Sequence, residues 1–312
     1  MPARSRPWWL KATGQGVLAA LPGAPALDDW LRRRRGAELD PDYVLGKWVH
    51  VRSHLRALGA REGRPLPDVT VVELGTGWYP VVALGMALHG ARVVSVDTRA
   101  HLDGDRIALT LRRVLRLVDD GAVRVPEGAA LDRARELVAA GGPVPPRALQ
   151  EVGVGSHLAD ARDLSGIPAA RGAALMVSNN TLEHIPREVL GGILTEFHRV
   201  GGAEARMSHY VDLADHYAGF DPAAGDFHFL TLGPTAWRLA NNRLGYQNRL
   251  RISDYRDLHA RAGWAIEAER LTRRDPTELH GLRLVEPFAS TPADDLLVVK
   301  AHLTSARAPG VG

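Results

Sequence analysis

The chain has 312 residues, 45% hydrophobic and 24% charged, which suffices for one large core or for one domain with a smaller appendage. It has no cysteine, which excludes disulfides, thiolate chemistry and cysteine-ligated metals. The net charge is only +3 and arginines alternate with acids, so we do not expect nucleic-acid binding. The N-terminal apolar run, Val17–Leu21, is too short for a signal peptide or a membrane span, which predicts a cytoplasmic protein without membrane contact.

Residues 1–66 are expected to form an N-terminal arm and a helical cover. Residues 1–39 hold three tryptophans and Pro/Gly-rich breaks, which predicts an irregular arm with a short helix. Asp40 followed by Pro41 indicates an N-cap and the first position of a helix. Apolar residues then recur at helical spacing up to Gly59. This helix either covers a ligand or is a plain packing helix, and the pattern alone leaves both open.

A strand, a glycine turn and a helix follow one another between residues 68 and 90. Asp68–Leu74 is rich in β-branched residues, which is typical of a buried parallel strand. Gly75 and Gly77 form the turn, and Pro80 opens the apolar helical segment VVALGMALH. This unit brings backbone N–H groups close to a ligand at a helix N-terminus, although an ordinary tight turn gives the same pattern.

The ligand is expected to be cationic and free of phosphate. A second β-branched run, ARVVSVD, ends at Asp97, about 20 residues beyond the glycines, where a ribose diol could be held. Nicotinamide enzymes share this layout, but Glu73 would repel a pyrophosphate over the turn, and Pro80 replaces the third glycine of GxGxxG. S-adenosylmethionine, with its sulfonium and ammonium groups, fits an acidic glycine turn better.

At this point the sequence resembles the class I S-adenosylmethionine-dependent methyltransferases. The resemblance rests on ELGTG from Glu73, VVSVDT around Asp97, DARDL from Asp160 and SNNTLEHIP from Ser178, in the family's order over residues 67–205. It implies an α/β fold with a seven-stranded Rossmann-like sheet, S-adenosyl-L-methionine as cofactor and a small-molecule substrate. Later patterns in the chain resemble bacterial members from biosynthetic gene clusters, which include enzymes similar to azetidine-carboxylate synthases.

The resemblance also implies which residues bind the cofactor. The glycine turn approaches its methionine portion, Asp97 holds the ribose hydroxyls, and Asp160 meets the adenine amine. Tyr79 stands where the family often has a glycine, which places a ring beside the cofactor. The full predicted set is Glu73, Gly75, Thr76, Gly77, Tyr79, Asp97, Thr98, Asp160, Ala161, Asn179 and Asn180.

The remaining chain is divided by its length and composition. About 60 residues separate the second strand from Asp160, which predicts a helical insertion at 101–156 within the core 67–205. Residues 206–255 are expected to form a cap over the active site, and residues 256–303 to complete the sheet before a disordered tail, 304–312. The strands of this half are predicted near residues 173–178, 203–211, 264–271 and 295–303.

The predicted cap is dense in histidine, aspartate and aromatic residues. Its spacings match no standard metal pattern, so we expect no metal and assign the catalytic roles to His209, His216 and Tyr217, with one histidine as general base. The favoured activity is methyl transfer to an oxygen or nitrogen of a small molecule in specialised metabolism. A cyclase that converts the cofactor to azetidine-2-carboxylate and methylthioadenosine, and a non-catalytic cofactor sensor, stay open, as does a homodimer.

Overall fold

The computed structural model describes residues 7–34 and 39–309. Within these residues the α-helices are α1 Trp8–Ala20, α2 Ala24–Arg34, α3 Pro41–Ala57, α4 Val81–Leu88, α5 Gly104–Asp119, α6 Ala129–Ala139, α7 Arg187–Val200, α8 Pro234–Ala240, α9 Ile252–Arg261 and α10 Ala293–Leu296. The strands are β1 Thr70–Leu74, β2 Arg92–Asp97, β3 Val154–Leu158, β4 Ala173–Asn179, β5 Gly201–Asp212, β6 Trp264–Arg273 and β7 Val298–Arg307.

The described strands form a single seven-stranded sheet in the order β3-β2-β1-β4-β5-β7-β6. Neighbours from β3 to β5 are parallel, whereas β7 runs antiparallel to both β5 and β6. The predicted seven-stranded α/β fold is therefore confirmed, and its last two strands form an antiparallel pair at one edge. In such a sheet the carboxyl ends of the parallel strands meet along one edge, which is where ligands bind in open α/β folds.

Two apolar layers cover the sheet, as a doubly covered parallel sheet requires. Successive residues of β1 point to opposite faces, so Val71 belongs to the layer with α3, α4 and α5, whereas Val72 belongs to the layer with α7 and α9. Every residue of β1 is buried. The site at the end of β1 is thus held by packing on both sides of the sheet.

Helix α3 begins as the sequence predicts and packs tightly against α4. The side chain of Asp40 accepts a hydrogen bond from the backbone N–H of Asp42, and Pro41 takes the first helical position. Trp48 and Val51 are fully buried. A Cβ added at Gly85 of α4 would lie 2.5 Å from a methyl carbon of Val51, so the two helices approach to a distance that only glycine permits there.

Three expectations at the ends of the chain differ from the structure. The arm before Asp40 contains two helices, α1 and α2, where the breaks suggested one short helix. The last strand begins at Val298 because residues 293–296 form a helical turn. It continues to Arg307, so residues 304–307 are not a tail: they pair with β5 and β6. Residues 310–312 of the predicted tail lie outside the described residues.

The segment between β2 and β3 is helical, with α5 and α6 followed by the 3₁₀ helix Pro146–Val152. The last residues of the predicted insertion 101–156 belong to β3 instead. Ile107 and Leu111 of α5 are buried in the layer that contains α3 and α4. None of the helices in the described ranges is long and apolar enough to cross a membrane.

Candidate functional site

The glycine turn after β1 needs glycine for two separate reasons. Gly75 and Gly77 have φ angles of +74° and +69°, a region that side chains rarely adopt. A Cβ at Gly75 would also lie 2.4 Å from the Thr181 side chain, which packs over the turn from the loop after β4. The turn therefore lies against the end of β4, and the two predicted ligand loops share one edge of the sheet.

Glu73 lies beneath this turn, at the end of β1. Its carboxylate accepts a hydrogen bond from the hydroxyl of Thr76 at 2.7 Å, and the same hydroxyl also contacts Ser95 of β2. Burial raises the pKa of Glu73 to about 7, against the opposing effects of the Thr76 hydrogen bond and of the Lys47 charge. The acidic group that the sequence predicts at the glycine turn is therefore present.

A cavity of about 670 Å³, here called the β2 cavity, opens beside the end of β2. Asp97 lines it and accepts hydrogen bonds from the backbone N–H groups of Gly77 at 3.4 Å and Arg99 at 3.1 Å. Thr98 lines it as well. Asp97 is therefore hydrogen-bonded to the glycine turn and borders the cavity.

Asp160 and Ala161 reach the β2 cavity from the loop after β3. The Asp160 carboxylate is about half exposed and forms an ion pair with Arg162, whose Nε lies 2.9 Å from Oδ2. Arg162 holds the pKa of Asp160 below its usual value. The carboxylate thus has a protein partner already, which an adenine amine would have to share.

A second cavity of about 800 Å³, here called the α3 cavity, lies between α3 and the ends of β1 and β4. It shares Gly75, Gly77, Asn180 and other lining residues with the β2 cavity, so the two meet at the glycine turn. Tyr79 lines it, with the ring of Tyr43 in edge contact at 6.4 Å between centroids. The two cavities therefore form one connected space around the glycine turn.

The α3 cavity is acidic. In the described chain its walls include four carboxylic acids and one lysine: Asp40, Glu73, Glu183, Asp212 and Lys47. Burial lowers the pKa of Lys47, while the charges of Glu183 and Glu73 act in the opposite direction. Burial raises the pKa of Glu73, Glu183 and Asp212, and a ligand that brings positive charge would stabilise their ionised forms.

Asn179, the last residue of β4, lines the α3 cavity and is oriented by two histidines of α3. Its Oδ1 accepts from His50 Nδ1 at 2.9 Å and from His54 Nε2 at 3.0 Å. Its Nδ2 is buried without a hydrogen-bond partner among the described residues. Since both rings bond the oxygen, the amide N–H groups are left to serve a ligand that accepts hydrogen bonds.

The two histidines continue into a buried polar network. The other ring nitrogen of His54 accepts from the Ser208 hydroxyl at 2.8 Å, and Ser208 in turn accepts from His302 Nε2 at 2.8 Å. The ring of Tyr210 lies stacked between those of His50 and His302, with centroid distances of 3.7 and 4.2 Å. Burial lowers the pKa of His54 to about 3 and those of His50 and His302 to about 4, so all three rings are neutral near pH 7.

His209 does not lie where the sequence analysis expected a general base. It is fully buried on the opposite face of β5, where Nδ1 bonds the hydroxyl of Ser178 at 2.9 Å and the ring packs against Phe197 and His259. Strand alternation puts Tyr210 and Asp212, not His209, on the side of α3. His209 lines neither cavity, which corrects its predicted catalytic role.

Tyr217 also lies apart from both cavities. Its hydroxyl donates to the carbonyl of Ala240 at 2.7 Å, and its ring contacts Trp8 of α1. Burial raises its pKa to about 12. The side chain joins α1 to the segment that precedes α9, so its predicted catalytic role is replaced by a packing role.

His216 is the predicted catalytic residue that reaches the α3 cavity. Its ring lies 5.0 Å from that of His184, which follows β4 on the 3₁₀ helix Leu182–His184. Burial, and then the neighbouring His184, lower the pKa of His216 to about 4. From the predicted cap 206–255, Asp212 and His216 line the α3 cavity and residues 243–246 line the β2 cavity.

Sequence reasoning missed the polar face of α3. Lys47, His50 and His54 stand at positions i, i+3 and i+7, which places them on one side of a helix beside the apolar stripe. That spacing was the signal in the sequence that could have revealed this polar face. Glu183 was likewise passed over, because its burial depends on how the loop after β4 folds.

The chain is similar in fold to several solved methyltransferases. Magnesium protoporphyrin IX methyltransferase from Synechocystis PCC 6803 aligns with 94% of this chain and 99% of its own, at 13% identity and a TM-score of 0.47. For geranyl diphosphate C-methyltransferase from Streptomyces coelicolor A3(2) the values are 84%, 79%, 15% and 0.46. No family model and no curated protein matches the sequence. Similarity at this level does not decide the activity, which has to be argued from the site.

Proposed function

We propose that the protein uses S-adenosylmethionine to transfer a methyl group to an oxygen or nitrogen atom of a small molecule, in specialised metabolism. The observation that carries the proposal is the pair of cavities that meet at Gly75 and Gly77, one bordered by Asp97 and the other acidic. S-adenosylmethionine has a neutral adenosine portion and a cationic methionine portion, which match the two sides of the turn.

Three features of the walls fit this cofactor. Asp97 offers carboxylate oxygens to a ribose diol at the β2 cavity. The unpaired Nδ2 of Asn179 can donate to a carboxylate, and the acidic α3 cavity suits an ammonium or sulfonium group. Asp160 and Ala161 are proposed to meet the adenine, while Glu73, Thr76 and Tyr79 border the methionine portion.

When bound, the cofactor supplies an activated methyl group: the acceptor forms a bond to the methyl carbon as the carbon–sulfur bond breaks, and the sulfur keeps the electron pair. This chain's own residues align the reactants and exclude water. A hydroxyl or amine acceptor must also lose a proton. His216 is our candidate to receive it, since it lines the α3 cavity as a neutral imidazole.

The space available argues for a separate acceptor. Cavities of roughly 300 to 1,000 Å³ hold drug-sized ligands, and each of the two cavities falls in that range, at about 670 and 800 Å³. The adenosine portion of the cofactor would occupy the β2 cavity and only its methionine end would enter the α3 cavity, so a cyclase that consumes only the cofactor would leave much of the α3 cavity unused. Room beside the cofactor therefore favours methyl transfer over cyclisation.

The test is product analysis by mass spectrometry. The full chain is incubated with S-adenosylmethionine alone and with panels of small hydroxyl and amine compounds. We expect S-adenosylhomocysteine to accumulate only when an accepted compound is present, together with a product heavier by one methylene. Methylthioadenosine formed without an acceptor would establish the cyclase instead, and tight binding without any product from a broad panel would favour the sensor.

Binding of the cofactor is tested separately with Asp97→Ala. Loss of hydrogen bonds to a charged group costs about 1.5–3 kcal/mol, so S-adenosylhomocysteine should bind roughly 10- to 100-fold more weakly in calorimetry. Asp163→Ala is the matched control, because Asp163 is an exposed acid of the loop after β3 that lines neither cavity. Unchanged affinity in the Asp97 variant would contradict the assignment.

A further inference from the structure

Three potential metal ligands meet in the α3 cavity. One ligand atom each from Glu183, His184 and His216 lies within 4.8 Å of the other two. All three residues line the cavity. Two come from the 3₁₀ helix after β4 and the third from the loop after β5, so the cluster is assembled by the fold at the carboxyl edge of the sheet.

Glu183 is the unusual member of this cluster. The residue is 1% exposed, and neither carboxylate oxygen has a hydrogen-bond partner in the described part of the chain. A buried carboxylate without a partner is costly, and buried polar groups in proteins nearly always find one. Burial is the main reason why its pKa rises to about 8, and the charge of Asp212 adds to the shift; the nearby backbone N–H groups of Glu183 and Asp212, which do not meet hydrogen-bond geometry, and the charge of Lys47 oppose it. A cation bound at the carboxylate would remove this cost.

The two histidines are arranged as metal ligands usually are. His184 Nδ1 donates to the backbone carbonyl of Tyr246 at 2.7 Å, which fixes the tautomer and leaves the Nε2 lone pair available. Histidine ligands commonly donate their other N–H to a carbonyl in this way. Gln247 accepts from the backbone N–H of His216 at 3.1 Å and so fixes the segment that carries the second ring.

We propose that Glu183, His184 and His216 bind a divalent transition-metal ion of the Zn²⁺ type. Two imidazoles and one carboxylate are a ligand set that leaves coordination positions open, and here those positions face the α3 cavity. The sequence hid this site because two ligands are adjacent and the third follows 32 residues after His184, a spacing that matches no standard motif.

A metal ion at this site would help to deprotonate an acceptor in the α3 cavity. A hydroxyl that occupies an open position of such an ion is deprotonated at a much lower pH than in water. His216 would then act on the acceptor through the ion rather than as a free base. Metal binding itself does not depend on methyl transfer, so the two proposals can fail separately.

The experiment is a metal titration of the full chain without an affinity tag, after removal of metals by a chelator. Co²⁺ is added while the visible absorption is recorded, and Zn²⁺ binding is followed by calorimetry. We expect one tight equivalent per chain, with the visible bands of a low-coordinate Co²⁺ ion. Glu183→Gln and His216→Ala should each weaken binding by more than about tenfold, the scale on which even ligand-supporting residues act.

A control separates this site from adventitious binding by surface histidines. His280→Ala removes an exposed histidine far along the chain and should leave the titration unchanged. Zn²⁺ should raise the melting temperature of the wild type and of this control but not of the two ligand variants, and a cooperative melting transition in each metal-free variant shows that it folds. Absence of a tight equivalent, or equal affinity in Glu183→Gln and wild type, would overturn the proposal. Loss of S-adenosylhomocysteine binding would affect only the proposed function.

Discussion

Two neighbouring rungs of the β4–β5 ladder carry similar polar residues into opposite surroundings. In one rung Ser178 pairs with His209, and in the next Asn179 pairs with Tyr210. The Ser178–His209 rung faces the apolar layer of α7 and α9, where the two side chains bond each other. The Asn179–Tyr210 rung faces α3, where the side chains contact histidines and border the α3 cavity.

The type of residue does not decide which of the two rungs borders the site. Both rungs are one residue apart, and alternation sends their side chains to opposite faces of the sheet. What distinguishes the faces is the helix that covers each one. Helix α7 offers Phe197 to His209, whereas α3 offers His50 and His54 to Asn179.

His216 and His209 should differ most in their effect on turnover. His216→Ala should lower turnover at saturating S-adenosylmethionine by roughly 100- to 10,000-fold, the range for loss of proton transfer in the transition state. His209→Leu should keep turnover within a few-fold of wild type, because His209 lies on the covered face. Turnover of both variants is measured with the same acceptor.

The His209→Leu variant should differ from His216→Ala in its stability as well. It leaves the buried Ser178 hydroxyl without its partner, which should lower the free energy of unfolding by about 1–3 kcal/mol in urea denaturation. His216→Ala should change the free energy of unfolding much less, since His216 borders a cavity. The reverse pattern, with His209→Leu inactive and stable, would show that the two faces have been assigned the wrong way round.

Substitutions of Asn179 and Ser178 should differ in their effect on cofactor binding. Asn179→Asp keeps an oxygen for His50 and His54 but replaces the unpaired N–H groups with a second acceptor. S-adenosylhomocysteine should then bind roughly 10- to 100-fold more weakly, which corresponds to about 1.5–3 kcal/mol for hydrogen bonds to a charged group. Ser178→Ala, one residue away on the other face, should bind it as the wild type does. Equal affinities in calorimetry would remove Asn179 from the cofactor site.

Much of the fold could be predicted from local patterns. The N-cap at Asp40, the strand before Gly75 and the helix after Pro80 all follow from residue types that act over a few positions. The errors concern tertiary contacts. Residues 304–307 look like a polar tail, yet they are held by pairing with both β5 and β6, which no local signal reveals.

The candidate site was predictable where a residue ends a strand. Asp97 and Asn179 end β2 and β4, and parallel strands bring their carboxyl ends to one edge. The alternation of residues along β5 follows from strand geometry, which puts Tyr210 and His209 on opposite sides. Which side borders a cavity depends on the packing of α3, more than 150 residues earlier in the chain, and that information is not in the strand.

The buried histidine that supports the Asn179 rung, His54, should make the free energy of unfolding depend on pH. Burial is the main reason why the pKa of His54 falls to about 3; the charges of His302, His50 and Lys47 add to the shift, while the Asn179 hydrogen bond opposes it. The unfolded chain has the ordinary value of about 6.5. Between these pH values the unfolded state binds a proton that the folded state refuses, so stability is complete above about pH 6.5 and falls as the pH drops.

From pH 7 to pH 5 this linkage predicts a loss of roughly 2 kcal/mol in the free energy of unfolding from His54 alone. Other buried histidines add to the total, so the contribution has to be isolated by difference. His54→Gln retains a neutral donor and acceptor but no group that titrates, and it should lose roughly 2 kcal/mol less than the wild type over the same interval. Urea denaturation at both pH values measures this difference. If the variant and the wild type lost the same stability, His54 would accept a proton in the folded state. The neutral network that orients the amide of Asn179 for the proposed cofactor site would then not persist in acid.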